Sequence, residues 1–364
     1  MGLTAVQSKA IGHVEQRALQ LQSVARRSLG ELFSEAGCTT DDISTLISSI
    51  QTNGRVTLNF HPDRMLPVGH SVVWGMLRDG LYKNQFETQV TNGSRTAFPG
   101  GERDLWEHVL FGGAYHEQSA RASHRPKYGG FNIMNYADGA SPRFGSCFLQ
   151  LYPHVSSRCT FTFGDSHTQP ECVGTLQVFE PILAELVRNV KTSGVALGSV
   201  GHSVGTILER LSNVESGFSH AVKGALGRAL DDYIEAQVHG DIDLSADVEM
   251  LVADPSFQGT PVGEALEHIC FQYGIKLAWH PGFNLCVDDV PEDFRGAAMP
   301  PFAHLVERFA TVHGRLDAAT LGRAAASFYA QPECWRDWAE PDVTFQHFKQ
   351  LWHVLVRFGE PSPI

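Results

Sequence analysis

The sequence predicts an α+β protein, and three observations lead there: helical periodicity over the first 52 residues, several strands in succession between Pro126 and Phe163, and helical periodicity again from Pro300 onward. Strands that follow one another, instead of alternating strictly with helices, argue against a doubly wound parallel sheet. The spacing divides the chain into an N-terminal helical segment (1–52), a core (53–290) with a helical insertion at about 176–230, and a C-terminal helical segment (291–364).

In the first segment Ile11, Val14, Leu19 and Leu21, then Leu29, Leu32 and Phe33, recur at helical spacing up to a stop at Gly37. A second helix carries Ile43, Leu46, Ile47 and Ile50 at i, i+3, i+4 and i+7, with Thr39 or Thr40 as its cap ahead of Asp42. From Arg55 the period becomes two: Val56, Leu58 and Phe60 face one way, and the strand ends at Pro62, which has no donor for a ladder. Helices are expected around Val72–Leu81 and Arg103–Phe111, and strands over Tyr128–Ile133, Phe144–Leu151 and Arg158–Phe163. Leu176–Val190 and Gly217–Leu230 have helical patterns, and the Gly/Ser-containing stretch Ser193–Gly205 between them is expected to be a loop over a site. At Tyr233–His239 apolar Ile234, Ala236 and Val238 alternate with Tyr233, Glu235, Gln237 and His239. Ile275–His280 and Phe283–Val287 read as a hairpin around Pro281-Gly282. Toward the end Leu305, Phe309 and Val312, then Phe345, Phe348, Leu351, Trp352 and Leu355, mark helices.

Composition narrows the function classes. The 364 residues exceed the ~250–300 at which single cores stop growing, with 43% hydrophobic and 19% charged residues, as in ordinary folded proteins. The 28 Lys+Arg against 40 Asp+Glu give a net charge of -12 with no basic run, which speaks against nucleic-acid binding. No apolar stretch approaches the ~18 residues of a membrane span, and Met1–Ser28 lacks the apolar region of a secretory signal. The expected location is the cytoplasm, or a host cell reached without such a signal. Seven cysteines, an odd set without a CxxC pair, read as reduced and mostly buried thiols.

Two segments concentrate titratable groups where a strand meets a loop: Asn59-Phe60-His61-Pro62-Asp63-Arg64 and the polar side of Tyr233–His239. The plain structural alternative is a charge pair ordering a turn for Asp63 and Arg64, and a strand residue facing water for Glu235. These segments, together with Lys-Tyr-Gly-Gly-Phe-Asn (127–132), Pro-Arg-Phe-Gly-Ser-Cys (142–147), Gly-Asp-Ser (164–166) and Tyr-Ile-Glu-Ala-Gln-Val-His-Gly (233–240), resemble the bacterial CteC-like ADP-ribosyltransferases over roughly His61–Val287. That family has the poly(ADP-ribose) polymerase-like fold.

The resemblance implies a split, mixed β-sheet core that binds NAD as substrate between two small sheets. It implies Glu235 as the catalytic glutamate and Asp63 as its partner acid. His61 and Arg64 would hold a hydroxyl or phosphate of NAD, Tyr128 would stack on nicotinamide, Gly129 and Gly130 would allow close backbone approach, and Ser146 would stand where relatives carry a middle-strand serine. A threonine of ubiquitin is the acceptor that the resemblance suggests, and the protein would then be a toxin or effector. Many toxin transferases place the catalytic glutamate where this chain has Gln237; the Tyr-Ile-Glu pattern favours Glu235.

Two other readings compete. His61, Asp63, His239, Asp241, Asp243 and His280 are residue types suited to a metal-dependent hydrolase, although no HExxH or Cys/His set is present. A non-catalytic NAD-binding module would keep Asp63 and Glu235 as structural polar residues. Gly164-Asp165-Ser166 lacks the GxSxG setting of a nucleophile elbow, so Asp165 reads as a turn or cleft-wall residue.

Overall fold

A computed structural model describes residues 2–37, 39–90, 96–212, 227 and 229–362. The strands of the main sheet are β1 (Val56–Phe60), β2 (Lys127–Phe131), β3 (Cys147–Leu151), β4 (Cys159–Phe163), β5 (Val173–Thr175), β6 (Ile234–Val238), β7 (Val248–Ala253) and β8 (Lys276–Trp279). The longer helices are α1 (Ala5–Glu35), α2 (Thr40–Asn53), α3 (Val72–Asp79), α4 (Glu102–Leu110), α5 (Glu180–Ser193), α6 (Val204–Ser212), α7 (Pro261–Tyr273), α8 (Met299–Glu307), α9 (Ala318–Ala330) and α10 (Pro341–Phe358). The protein is thus mixed α/β, with helices before and after a mixed sheet.

Helix starts follow local chemistry. Thr4 caps α1 with Gln7 in a reciprocal pair, and at the start of α2 the Asp42 carboxylate accepts from the Thr39 N–H at 2.6 Å. The sheet order is β8-β7-β3-β1-β2-β6-β4-β5. Neighbours are antiparallel except β7 and β8, which run parallel. The eight strands are hydrogen-bonded without a break, so the two small sheets expected from the resemblance are one sheet here. β6 supplies the continuity: it bonds β2 on one side and β4 on the other.

The hairpin expected over 275–287 is not formed. Helix α7 crosses between β7 and β8 and returns the chain parallel, as a helical crossover does. Leu285–Cys286 pairs instead with Arg315–Leu316. The β7 strand itself, mostly apolar but interrupted by Glu249, has no counterpart in the sequence reading. The stretch 193–205 is not an open loop: it contains a small ladder, Val195–Ala196 with Ser199–Val200, and the start of α6. Most of the helix expected over Gly217–Leu230 lies outside the described residues.

One face of the sheet is apolar. Val56, Leu58, Phe131, Cys159, Phe161, Ile234 and Ala236 share one buried cluster with residues of α1 and α5, with Phe131, Phe161 and Phe179 in mutual ring contact. The segment read as an insertion at 176–230 therefore supplies, in α5, a cover for this face. Cys147 and Cys159 are fully buried, and burial pushes the Cys159 thiol up to about 12. The cysteines among the described residues are free thiols, three of them buried. No helix among the described residues is long and apolar enough to cross a membrane.

The last segment is no appendage. Trp352 of α10 is buried, donates its Nε1–H to the Pro142 carbonyl at 2.8 Å, and lays its ring against His61 at 4.9 Å between centroids. One turn earlier, Lys349 reaches the cleft described next.

Candidate functional site

The second face of the sheet is polar, although it too is covered. Register places Thr57 opposite Gly130, Gly130 opposite Glu235, and Glu235 opposite Thr162; Tyr128 and Thr160 flank Gln237. Period-two alternation thus gathers Thr57, Tyr128, Glu235, Gln237, Thr160 and Thr162 on one side. Their polar groups are satisfied locally: Thr57 Oγ1 accepts from the Ala140 N–H at 2.9 Å, and Thr160 Oγ1 donates to Gln237 Oε1 at 2.8 Å.

A cleft of about 660 Å³ opens over this face. Its walls include His61, Arg64, Arg103, Trp106, Tyr128, Gly129, Arg143, Asp165, Ser166, Glu235 and Lys349. Of the residues expected to form the site, His61, Arg64, Tyr128, Gly129 and Glu235 line it together. Asp63 and Ser146 do not.

Glu235 is 3% exposed, so the reading of a strand residue facing water does not hold. Its Oε1 accepts from Gln237 Nε2 at 2.9 Å and its Oε2 from the Ser166 N–H at 3.4 Å. Burial, then the charge of Asp165, pushes the Glu235 carboxyl up to about 7, against the pull of those hydrogen bonds and of Arg103. Asp165 moves the other way. Burial raises it, but the His167 N–H, the Tyr233 hydroxyl, the His167 ring and Arg143 together hold it below the ordinary carboxylate value. Two neighbouring carboxyls with opposed shifts are suited to the two halves of acid–base chemistry.

The expected partner of Glu235, Asp63, points elsewhere. A β-carbon at Gly322 of α9 would lie 1.5 Å from Asp63 Oδ2, so the carboxyl leans on that helix beside the charges of Arg64 and Arg323. The Pro62 turn swings the side chain away from the sheet face that carries Glu235, and burial raises Asp63 to about 6. The acid beside Glu235 is Asp165. Ser146 sits behind the cleft, its Oγ 3.4 Å from His61 Nδ1. Burial, followed by the charges of Arg64 and His353, holds His61 well below its usual value, so its ring is neutral.

The glycines of β2 are explained by the protein and not by a ligand. A β-carbon at Gly129 would lie 2.3 Å from the Thr57 carbonyl oxygen, and one at Gly130 would lie 2.6 Å from the Ala140 methyl. Tyr128 donates its hydroxyl to Glu107 Oε1 at 2.8 Å, and Glu107 Oε2 accepts from Arg125 at 2.6 Å.

The metal-site residues do not converge. His239 is buried between the Tyr115 hydroxyl, 2.5 Å from Nδ1, and Thr160 Oγ1, 3.1 Å from Nε2, whereas Asp241 is exposed near Lys127. His280 is bound to the Ser146 carbonyl and the Gly282 N–H. Among the described residues no group of three or more His, Cys, Asp or Glu is arranged to hold a metal ion. Burial, aided by Lys127 and Arg158, drives His239 down to about 3. A folded value below the unfolded one, near 6.5, contributes stability that is present above pH 6.5 and lost as pH falls toward 3. His239→Gln is therefore expected to flatten the fall of the urea midpoint between pH 6.5 and 4; an unchanged slope would contradict this account.

Arg103, Trp106, Arg143 and Lys349 escaped the sequence reading as site residues. They come from α4, the turn before β3 and α10; Arg143 lies in the quoted segment 142–147 without having been singled out, and no motif ties the other three to the strand ends they face. The one available signal is Arg103 and Trp106 at i, i+3 on an otherwise acidic helix.

A mixed α/β fold thus carries a cation-lined cleft over the buried Glu235 carboxyl and the half-buried Asp165. Residues 55–358 match the family described as "Protein of unknown function (DUF3626)", and the chain belongs to that family. No curated protein matches it.

Proposed function

We propose that the protein is a mono-ADP-ribosyltransferase that moves ADP-ribose from NAD to a protein side chain, with ubiquitin the first acceptor to test. The observation that carries this reading is Glu235: a buried carboxyl on a rigid strand, at the floor of a cleft whose walls offer an aromatic ring and guanidinium groups. The motifs that resemble those of CteC-like transferases point to the same residue. In this reading the cleft lies over one polar face of a continuous sheet.

The chemistry fits the residues. Breaking the bond from ribose C1′ to nicotinamide leaves the electron pair on nicotinamide and builds positive charge on the ribose. An ionised Glu235, accepting from the ribose 2′-hydroxyl, favours that state over the ground state. The acceptor hydroxyl oxygen then bonds to C1′, and its proton passes to Asp165, which is already ionised. The second acidic role, which the resemblance gives to Asp63, falls to Asp165 because Asp165 adjoins Glu235.

The test is incubation of the purified protein with NAD and EDTA, with and without ubiquitin, followed by liquid chromatography and intact mass. The expected result is nicotinamide release and a ubiquitin mass increase of one ADP-ribose. Release without the increase keeps the chemistry and moves the search to another acceptor. No release from folded protein overturns the reading.

A further inference from the structure

The hydrogen-bond inventory of the cleft specifies the chemistry of its occupant. Among the described residues, six buried nitrogen atoms on cleft-lining side chains have no acceptor: Nε and Nη1 of Arg64, Nε and Nη1 of Arg103, Nε1 of Trp106 and Nε of Arg143. Against them, among the described residues of the cleft wall, stands one buried acceptor without a donor, Gln85 Oε1. Buried donors are normally satisfied, and a surplus of donors is matched by a ligand rich in acceptor oxygens.

Arg103 is the best organised of these groups. Its guanidinium lies 4.5 Å from the Tyr128 ring centroid and 4.7 Å from that of Trp106, so two aromatic contacts hold it in place. The nearby carboxylate of Glu107 is already engaged by Tyr128 through one oxygen and by Arg125 through the other. Arg103 is thus a fixed cation with unused donors, and Trp106 adds a neutral N–H one turn along α4. The whole protein carries a charge of -12, so this concentration of cations is local.

We propose that Arg103 and Trp106, assisted by Arg64 and Arg143, form a diphosphate-binding wall. The wall rests on the transferase reading for the whole ligand, where it would hold the diphosphate of the dinucleotide. The donor surplus that motivates it is independent of that reaction. A planar guanidinium can engage two phosphate oxygens at once, and charge-assisted bonds of this kind are among the stronger ones available.

Calorimetric titration of the full chain with inorganic pyrophosphate, ADP-ribose and nicotinamide riboside tests it. Wild type is expected to bind the two diphosphate ligands, more weakly as salt rises. Arg103→Gln is expected to weaken both by about 10- to 100-fold and to leave nicotinamide riboside unchanged; Arg103→Lys should recover part of the loss. Trp106→Phe, which keeps a ring and removes the donor, should give a smaller loss of the same selectivity. Equal diphosphate affinity in wild type and Arg103→Gln, or no pyrophosphate binding by wild type, overturns the wall. Pyrophosphate binding that depends on Arg103, in a protein that neither binds ADP-ribose nor releases nicotinamide, keeps the wall and removes the transferase.

Discussion

Glu235→Gln is expected to lower nicotinamide release by about 10²–10³-fold, the range seen when one preorganised electrostatic group is removed from an active site, while leaving the protein folded. The substitution preserves shape and removes the charge that would oppose the developing ribose cation. Wild-type kcat/KM should rise with pH through about 7, where Glu235 ionises, and then level off. The glutamine variant should lack that rise. Stability supplies a second readout with the opposite sense. Because the folded value of Glu235 lies above the usual 4.5, its neutral form favours the native state, and this contribution is lost as pH rises through 7. Glu235→Gln should therefore resist urea better than wild type at pH 8, with the gap closing toward pH 5. Retained nicotinamide release in the variant would remove Glu235 from the chemistry; an identical stability profile would remove the account of its burial.

Trp352→Ala is expected to cost about 3–5 kcal/mol, as truncation of a buried tryptophan does. The ring is 1% exposed, touches His61 and Phe283, and anchors the Pro142 carbonyl through its N–H. Trp352→Phe should lose less, since it keeps an aromatic ring and gives up the hydrogen bond. Urea unfolding of both variants measures this, and a cost below about 1 kcal/mol for the alanine would show that α10 is not integral to the core. Diphosphate affinity should fall in the alanine variant as well, because the Trp352 N–H anchors Pro142 beside Arg143 of the cleft wall.

The two-residue period at Val56, Leu58 and Phe60, and at Ile234, Ala236 and Val238, carried the strand positions and correctly put Glu235 and Gln237 on one face. Turn chemistry at Pro62 located the strand end. It could not give the direction in which Asp63 leaves the turn, since that depends on α9 more than 250 residues later. Strand β7 lacked clean alternation because its register on β3 shifts between Val248 and Met250, and its parallel partner was misread because Pro281-Gly282 imitates a hairpin turn. Asp165 was legible as a cleft-wall residue, and only the register of β4 beside β6 brings it to Glu235. Arg103 and Lys349 could not be found from local pattern, because their partners are distant in sequence.

The place of β6 in the sheet has a consequence for the order of folding. Remove that strand and five strands ending in β2 part from the pair β4 and β5, leaving Lys127–Phe131 and Cys159–Phe163 as bare edges. During synthesis the Cys159–Phe163 edge waits for about seventy more residues and the Lys127–Phe131 edge for about a hundred, and unpaired edges of this kind recruit other chains. The strand that carries Glu235 is the keystone that closes both, so the carboxyl takes its place in the same event that removes these two edges.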